Sequence, residues 1–260
     1  MEMQPALTDL ITMARQAGEI LRQGYGQDHK IQHKGVIDLV TDSDHRSEEL
    51  IIRAIRSKFP ADRIITEESG TLAGDSRRSW YIDPLDGTIN FAHDVPLFTV
   101  SVAYAVDDQL QLGVVYEPMR DECFSAQAGQ GAWLNDRPIK VSAARTLQEC
   151  LLVTGFPYDL WQNSDEHLKF FGRFSTRTQG VRRLGSAALD LCYVAAGRLD
   201  GYWELSIRSY DIAAGALIAQ EAGAIATRID GSDGILKPPC NILAANPAIH
   251  PLMLAALLEP

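Results

Sequence analysis

Trp80-Tyr81-Ile82-Asp83-Pro84-Leu85-Asp86-Gly87-Thr88 is the stretch on which the reading of this chain turns. An apolar run of strand type leads straight into two carboxylates three residues apart, and then into Gly-Thr. Proline lacks a backbone donor and disfavours helical geometry in the residue before it, so Asp83 is predicted as the last extended residue. Asp followed by Pro is a favoured opening for a type I turn, whose first and fourth residues come within about 7 Å. Asp83 and Asp86 are therefore predicted to share one site, with the Leu85 carbonyl as a candidate third oxygen. A helix starting at Gly87 and Thr88 would present backbone N–H groups to an anion such as phosphate. Oxygen-only donors beside an anion site point to Mg²⁺ and to metal-assisted phosphoryl chemistry.

Composition narrows the classes. The 260 residues are 46% hydrophobic, ample for a packed core in one or two domains. A net charge of −10 weighs against nucleic acid held by bulk electrostatics. It also means that an anionic substrate needs bound cations to reverse the local field. Cys123, Cys150, Cys192 and Cys240 are widely spaced with no CxxC, the usage of reduced thiols in a cytoplasmic protein. The six histidines form no HxH or HExxH pattern, which disfavours zinc. Met1-Glu2-Met3-Gln4-Pro5 lacks the basic and apolar parts of a signal peptide, and no apolar run approaches the ~20 residues that span a bilayer.

Apolar residues from Leu7 to Leu21 recur at helical spacing, with Gly24 and Gly26 as the stop, and a polar loop is expected from 29 to 44. A second helix is predicted over 45–58, a strand over 63–66, and strands over 98–106 and 110–116. Cys123–Gln127 and Ala132–Leu134 suit a hairpin turning at Gly129-Gln130-Gly131 rather than a dinucleotide loop, because no long helix follows. From about 145 onward, strands (150–154, 180–184, 200–205, 224–228, 241–245) alternate with helices (164–174, 185–196, 210–222, 248–258). The expectation is an α+β half over 1–144, carrying most of the acidic site, and an α/β half over 145–260, packed as one body with the site between them.

Three further segments offer carboxylates: Asp38, Asp42 and Asp44; Glu67 and Glu68; and Asp211. Each has a plain alternative. The first group fits a polar surface loop, the glutamates a solvated loop, and Asp211 an ordinary first-turn helix cap. Asp83 and Asp86 differ, because a strand of buried type has no structural use for two adjoining carboxylates.

Taken together, Asp38-Leu-Val-Thr-Asp-Ser-Asp44, Glu67-Glu-Ser-Gly70, the Trp80–Thr88 stretch with Asn90-Phe91, Gly185-Ser-Ala187 and Trp203-Glu-Leu-Ser-Ile-Arg-Ser-Tyr-Asp211 resemble the inositol monophosphatase family of lithium-sensitive, Mg²⁺-dependent phosphatases. The match in order and spacing spans almost the whole chain. The resemblance implies a layered αβαβα sugar-phosphatase fold and a cytoplasmic homodimer acting on inositol 1-phosphate, by in-line attack of metal-activated water. By the same resemblance, Glu67, Asp83 and the Leu85 carbonyl hold a first Mg²⁺, Asp83, Asp86 and Asp211 hold a second, and Glu67 with water holds a third. Asp44 and Thr88 orient the attacking water, and the Gly87 and Thr88 N–H groups grip phosphate. Asp86, Glu204 and Gly185, Ser186 and Ala187 contact the substrate, and a loop around Lys34 helps close the site.

Relatives also imply alternatives: hydrolysis of fructose 1,6-bisphosphate, with Arg182, Arg183 and Arg208 as candidates for a second phosphate, or a role as a transcription-machinery partner. A haloacid-dehalogenase-type phosphatase needs one residue between its two aspartates, whereas two lie between Asp83 and Asp86. Neither a membrane nor nucleic acid is an expected partner.

Overall fold

The computed structural model describes residues 4–27, 32–33, 39–157, 160 and 164–259; Lys34 and Asp38 lie outside them. Helix α1 (Leu7–Gly24) is followed by short strands β1 (Gln32–His33) and β2 (Leu39–Val40) and by helix α2 (Asp42–Lys58). Next come β3 (Asp62–Thr66), β4 (Gly70–Leu72), β5 (Asp75–Asp86), the five-residue helix α3 (Thr88–Ala92), β6 (Thr99–Val106), β7 (Gln109–Glu117), β8 (Glu122–Gln127), β9 (Ala132–Leu134) and β10 (Arg137–Ile139). The strands from β3 to β10 form one eight-stranded sheet in the order β10-β9-β8-β7-β6-β5-β3-β4. The chain continues through β11 (Leu151–Thr154), α4 (Ser164–Ser175), β12 (Gly180–Arg182), α5 (Ala187–Ala195), β13 (Gly201–Ile207), α6 (Ser209–Glu221), β14 (Ile225–Thr227), β15 (Cys240–Ala245) and α7 (His250–Leu258). Its strands form a five-stranded sheet in the order β12-β11-β13-β15-β14.

Alternation along the strands explains the layers, because successive side chains serve opposite faces. Trp80 and Ile82 on β5 join Val102 and Val114 in packing against Leu10, Met13, Ile51 and Ile55 of α1 and α2. Tyr81, between them, faces the other way, into a core shared with Leu189 and Leu191 of α5 and Ile212 and Leu217 of α6. That core also takes Val153, Tyr202 and Ile242 from the second sheet. On the far side Leu152, Trp203 and Leu243 meet Phe170 and Phe174 of α4 and Met253 and Leu257 of α7. The order is helix, sheet, helix, sheet, helix. Residues 212 to 219 of α6 are all buried, as the middle layer requires of a helix covered on both sides.

Two details depart from the sequence expectation, and a third lay outside it. The extended run does not stop at Asp83: β5 continues to Asp86, which pairs with Thr99 of β6, and the register shifts between Asp83 and Asp86. Pro84 and Leu85 are absorbed in a bulge, the setting in which a sheet tolerates proline. Helix α2 begins at Asp42 rather than 45, because Thr41 and Asp44 form a reciprocal cap: the Thr41 N–H and hydroxyl donate to Asp44 Oδ2 at 2.8 and 2.6 Å. The second sheet is mixed, with β11 parallel to β12 and β13 but β15 antiparallel to β13 and β14. The turn at Gly129–Gly131 does join an antiparallel pair, β8 and β9. All four cysteines are free and buried. Among the described residues no helix is long and apolar enough to cross a membrane.

Helices α5 and α6 approach closely at Gly215, where an added Cβ would sit 2.8 Å from Leu191 Cβ. Overpacking at such a contact costs about 1–3 kcal/mol. Gly215→Val is therefore expected to lower Tm by roughly 4–8 °C in a thermal melt. An unchanged Tm would contradict this packing of the middle layer.

Candidate active site

The bulge at the end of β5 aims two carboxylates at one cavity. The Leu85 N–H donates to Asp83 Oδ1 at 3.0 Å, which fixes the Asp83 side chain against its own turn. Asp86 is held from the other side. Its Oδ2 accepts from the Ser186 hydroxyl at 2.6 Å and the Ala188 N–H at 2.7 Å, and its Oδ1 from the Ala187 N–H at 3.2 Å. This carboxylate thus caps the first turn of α5, where the helix dipole favours negative charge, and ties the first sheet to the middle layer.

Parallel pairing brings in the next ligand candidate. Residues 63 to 66 of β3 lie opposite 79 to 82 of β5, so one further step sets Glu67 beside Asp83. The loop bearing Glu67 is gripped by Glu48 of α2, a buried residue that the sequence reading missed. Glu48 Oε1 accepts from the Thr66 hydroxyl at 2.6 Å and from the Glu68 and Ser69 N–H groups at 3.1 Å each, and its Oε2 from the Ser69 hydroxyl at 2.6 Å. The available signal was a carboxylate on the same helical stripe as Ile51 and Ile55.

Asp211 stands in the first turn of α6 and caps it, accepting from the Arg208 N–H at 2.9 Å. The capping alternative is therefore realised, yet Asp211 also lines the cavity with Glu67, Asp83, Leu85 and Asp86. The lining continues through Gly87, Thr88, Gly185, Ser186, Ala187 and Glu204, in a space of about 710 Å³. Asp44 is buried behind it, no surface-loop residue, and the Thr88 hydroxyl lies 3.2 Å from Asp44 Oδ1 and 3.0 Å from the Leu85 carbonyl. Arg183 and Arg208 reach the cavity. Arg182 is exposed on its strand and is not part of the lining.

Gly87 adopts φ 101°, which suits glycine, and an added Cβ there would sit 2.9 Å from the Leu97 carbonyl oxygen. Gly155 makes room for Glu204, since a Cβ at Gly155 would fall 2.0 Å from Glu204 Oε2. That same oxygen accepts from the Tyr202 hydroxyl.

Burial, then the charges of Glu67, Asp86 and Asp211, raise the Asp83 pKa well above its ordinary value. Burial, then Glu67 and Asp86, do the same for Asp211. Burial pushes Asp86 up to about 6 against the hydrogen bonds it accepts. These are oxygen donors that repel one another, the donor set a hard divalent cation neutralises. Among the described residues no three His, Cys, Asp or Glu side chains close into a finished cage; they share a cavity wall. Mg²⁺ fits the chemistry of that wall.

The sequence profile of the inositol monophosphatase family matches residues 2–259. The chain belongs to the inositol monophosphatase family. Nus factor SuhB of Salmonella typhimurium is 43% identical, the alignment covering 99% of this chain and 97% of the relative. Among solved structures, the extragenic suppressor protein suhB of Bartonella henselae superposes with a TM-score of 0.92 at 37% identity, covering 97% of this chain and 98% of that one. The inositol monophosphatase of an Anabaena (Nostoc) species gives 0.88 at 43% identity, over 97% and 94%. The family assignment and the layered fold thus agree with the resemblance read from the motifs, and they support a phosphatase.

The carboxylate wall predicts a pH-dependent response to metal. A carboxyl whose pKa is raised in the folded state contributes stability below its unfolded value and loses it as pH rises through the folded value. For Asp86 that window runs from 3.8 to about 6. Mg²⁺ should therefore stabilise little at pH 4.5, where protons occupy the carboxyls. At pH 8 and about 100 Kd it should add roughly 2.7 kcal/mol, or about 5–10 °C in Tm. Equal shifts at the two pH values, measured against chelator controls, would contradict the assignment.

Proposed function

We propose that this chain is a Mg²⁺-dependent phosphomonoesterase that hydrolyses inositol 1-phosphate by direct in-line attack of water. The observation that carries this reading is that Glu67, Asp83, Asp86 and Asp211, from separate segments, line one cavity together with Thr88 and Glu204. Glu67, Asp83 and the Leu85 carbonyl would hold one ion, Asp83, Asp86 and Asp211 a second, and Glu67 with water a third. Bound there, Mg²⁺ supplies Lewis-acid charge that offsets the phosphate and the departing alkoxide.

The chain itself supplies position and proton handling. The Thr88 hydroxyl, within reach of Asp44 Oδ1 at 3.2 Å, orients the attacking water and passes its proton toward Asp44, which is buried and already anchored by Thr41. Gly87 and Thr88 hold the phosphate. Gly185, Ser186, Ala187 and Glu204 orient the alcohol portion. No enzyme nucleophile is required, so no covalent phosphoenzyme forms. The working unit is a cytoplasmic homodimer.

Two other roles have a specific observation behind them. Arg183 and Arg208 at the cavity could take the second phosphate of fructose 1,6-bisphosphate. The name Nus factor carried by the Salmonella relative favours an additional part in transcription. The complete carboxylate set supports retained hydrolysis in either case.

Phosphate release from inositol 1-phosphate with Mg²⁺, with and without Li⁺, tests the reading. Asp86→Asn is expected to lower kcat/KM on the order of 10³-fold while Tm stays within a few degrees. Near-normal turnover in that variant, or no Mg²⁺-dependent release by the unaltered protein from any sugar or polyol phosphate, would overturn it.

A further inference from the structure

Asp190 is a charged residue inside an otherwise apolar helix, Ala187-Ala-Leu-Asp-Leu-Cys-Tyr-Val-Ala195. It is only 1% exposed, yet it lines the active-site cavity. Its Oδ1 has no hydrogen-bond partner, although a buried carboxylate oxygen without one is costly. The capping of α5 does not need it, because Ser186 accepts from the Leu189 N–H and Asp86 takes the Ala187 and Ala188 N–H groups. Nor does it belong to the metal wall, which Glu67, Asp83, Asp86 and Asp211 complete without it. The group nearest to it in electrostatic effect is Glu204, whose charge raises the Asp190 pKa second only to burial. Glu204 keeps one oxygen on Tyr202 and lies against the bare α-carbon of Gly155.

Two carboxyl groups so placed, one with an unpartnered oxygen, leave hydrogen-bonding capacity for a ligand. A cation would serve, but Arg183 already shares this wall, its charge working against the burial that raises the pKa of both groups. A ligand ammonium would have to sit beside that guanidinium. Alcohol hydroxyls fit better: each can donate to a carboxylate, and its oxygen can accept from Arg183.

We propose that Asp190 is a specificity-determining residue which, paired with Glu204, reads two neighbouring hydroxyls of the substrate. The cavity thereby selects phosphomonoesters of vicinal polyols over phosphomonoesters without hydroxyls. This rests on the phosphomonoesterase reading above and deepens it. Rejection follows from the same geometry: a substrate lacking the second hydroxyl leaves Asp190 Oδ1 buried and unpaired, and sites built around a substrate hydroxyl discriminate strongly against analogues that lack it.

The test compares kcat/KM for inositol 1-phosphate with that for p-nitrophenyl phosphate. Wild-type protein that hydrolyses neither would sink the phosphomonoesterase reading itself. If it hydrolyses them, Asp190→Asn should lower the ratio of the two about tenfold and Asp190→Leu further, mainly through KM for the polyol phosphate. A ratio within twofold of wild type in both variants overturns the role of Asp190. Should the variants fail to fold, unaltered protein decides the matter with single-deoxy analogues of inositol 1-phosphate. Removal of either of two adjacent hydroxyls should cost about tenfold or more, whereas sensitivity at one position or none overturns the pairing. So would a preference for 2-aminoethyl phosphate over inositol 1-phosphate.

Discussion

Mutual repulsion among carboxylates is the constraint that organises this molecule. Glu67, Asp83, Asp86 and Asp211 face one cavity; burial raises the pKa of the three aspartates, and neighbours of like charge raise it further at Asp83 and Asp211. Left to themselves they would spread apart, so each is tied down by a second task. Asp83 closes its own turn, Asp86 caps α5, Asp211 caps α6, and the loop of Glu67 is gripped by Glu48. The structural and functional readings of these residues are therefore not rivals. A carboxylate at a helix N-terminus gains from the dipole there, and the gain helps to keep it in the crowded wall.

The layers decide where that wall can form. The end of β3 lies alongside the end of β5, and the middle helices α5 and α6 both start at the same level. Their first turns supply Ser186 to Ala188 and Asp211. Since α6 is buried from 212 to 219 between two sheets, the turn that leads into this stretch is anchored, and Asp211 is placed by packing. Gly215 sets how close α5 comes to α6, and so how near Asp86 and Asp190 stand to Asp211.

Much of this was legible in the sequence. Trp80-Tyr-Ile marked the strand, and Asp83-Pro-Leu-Asp86 marked the paired carboxylates, because strand propensity and local backbone chemistry act over a few residues. What escaped was set by long-range contacts. The turn became a bulge because β6 pairs on to Thr99, and α2 started early because Asp44 caps its own helix. No motif singled out Glu48 or Asp190, and only the burial of their helix faces gives them a role. The mixed direction of the second sheet was hidden for the same reason, since hydrophobic pattern reports burial and not strand sense.

The most direct measurement is a count of bound Mn²⁺ by electron paramagnetic resonance, in the unaltered chain and in Asp83→Asn. The account predicts at least two ions per chain, with at least one lost when Asp83 is neutralised. No binding, or the same count in both proteins, would contradict it.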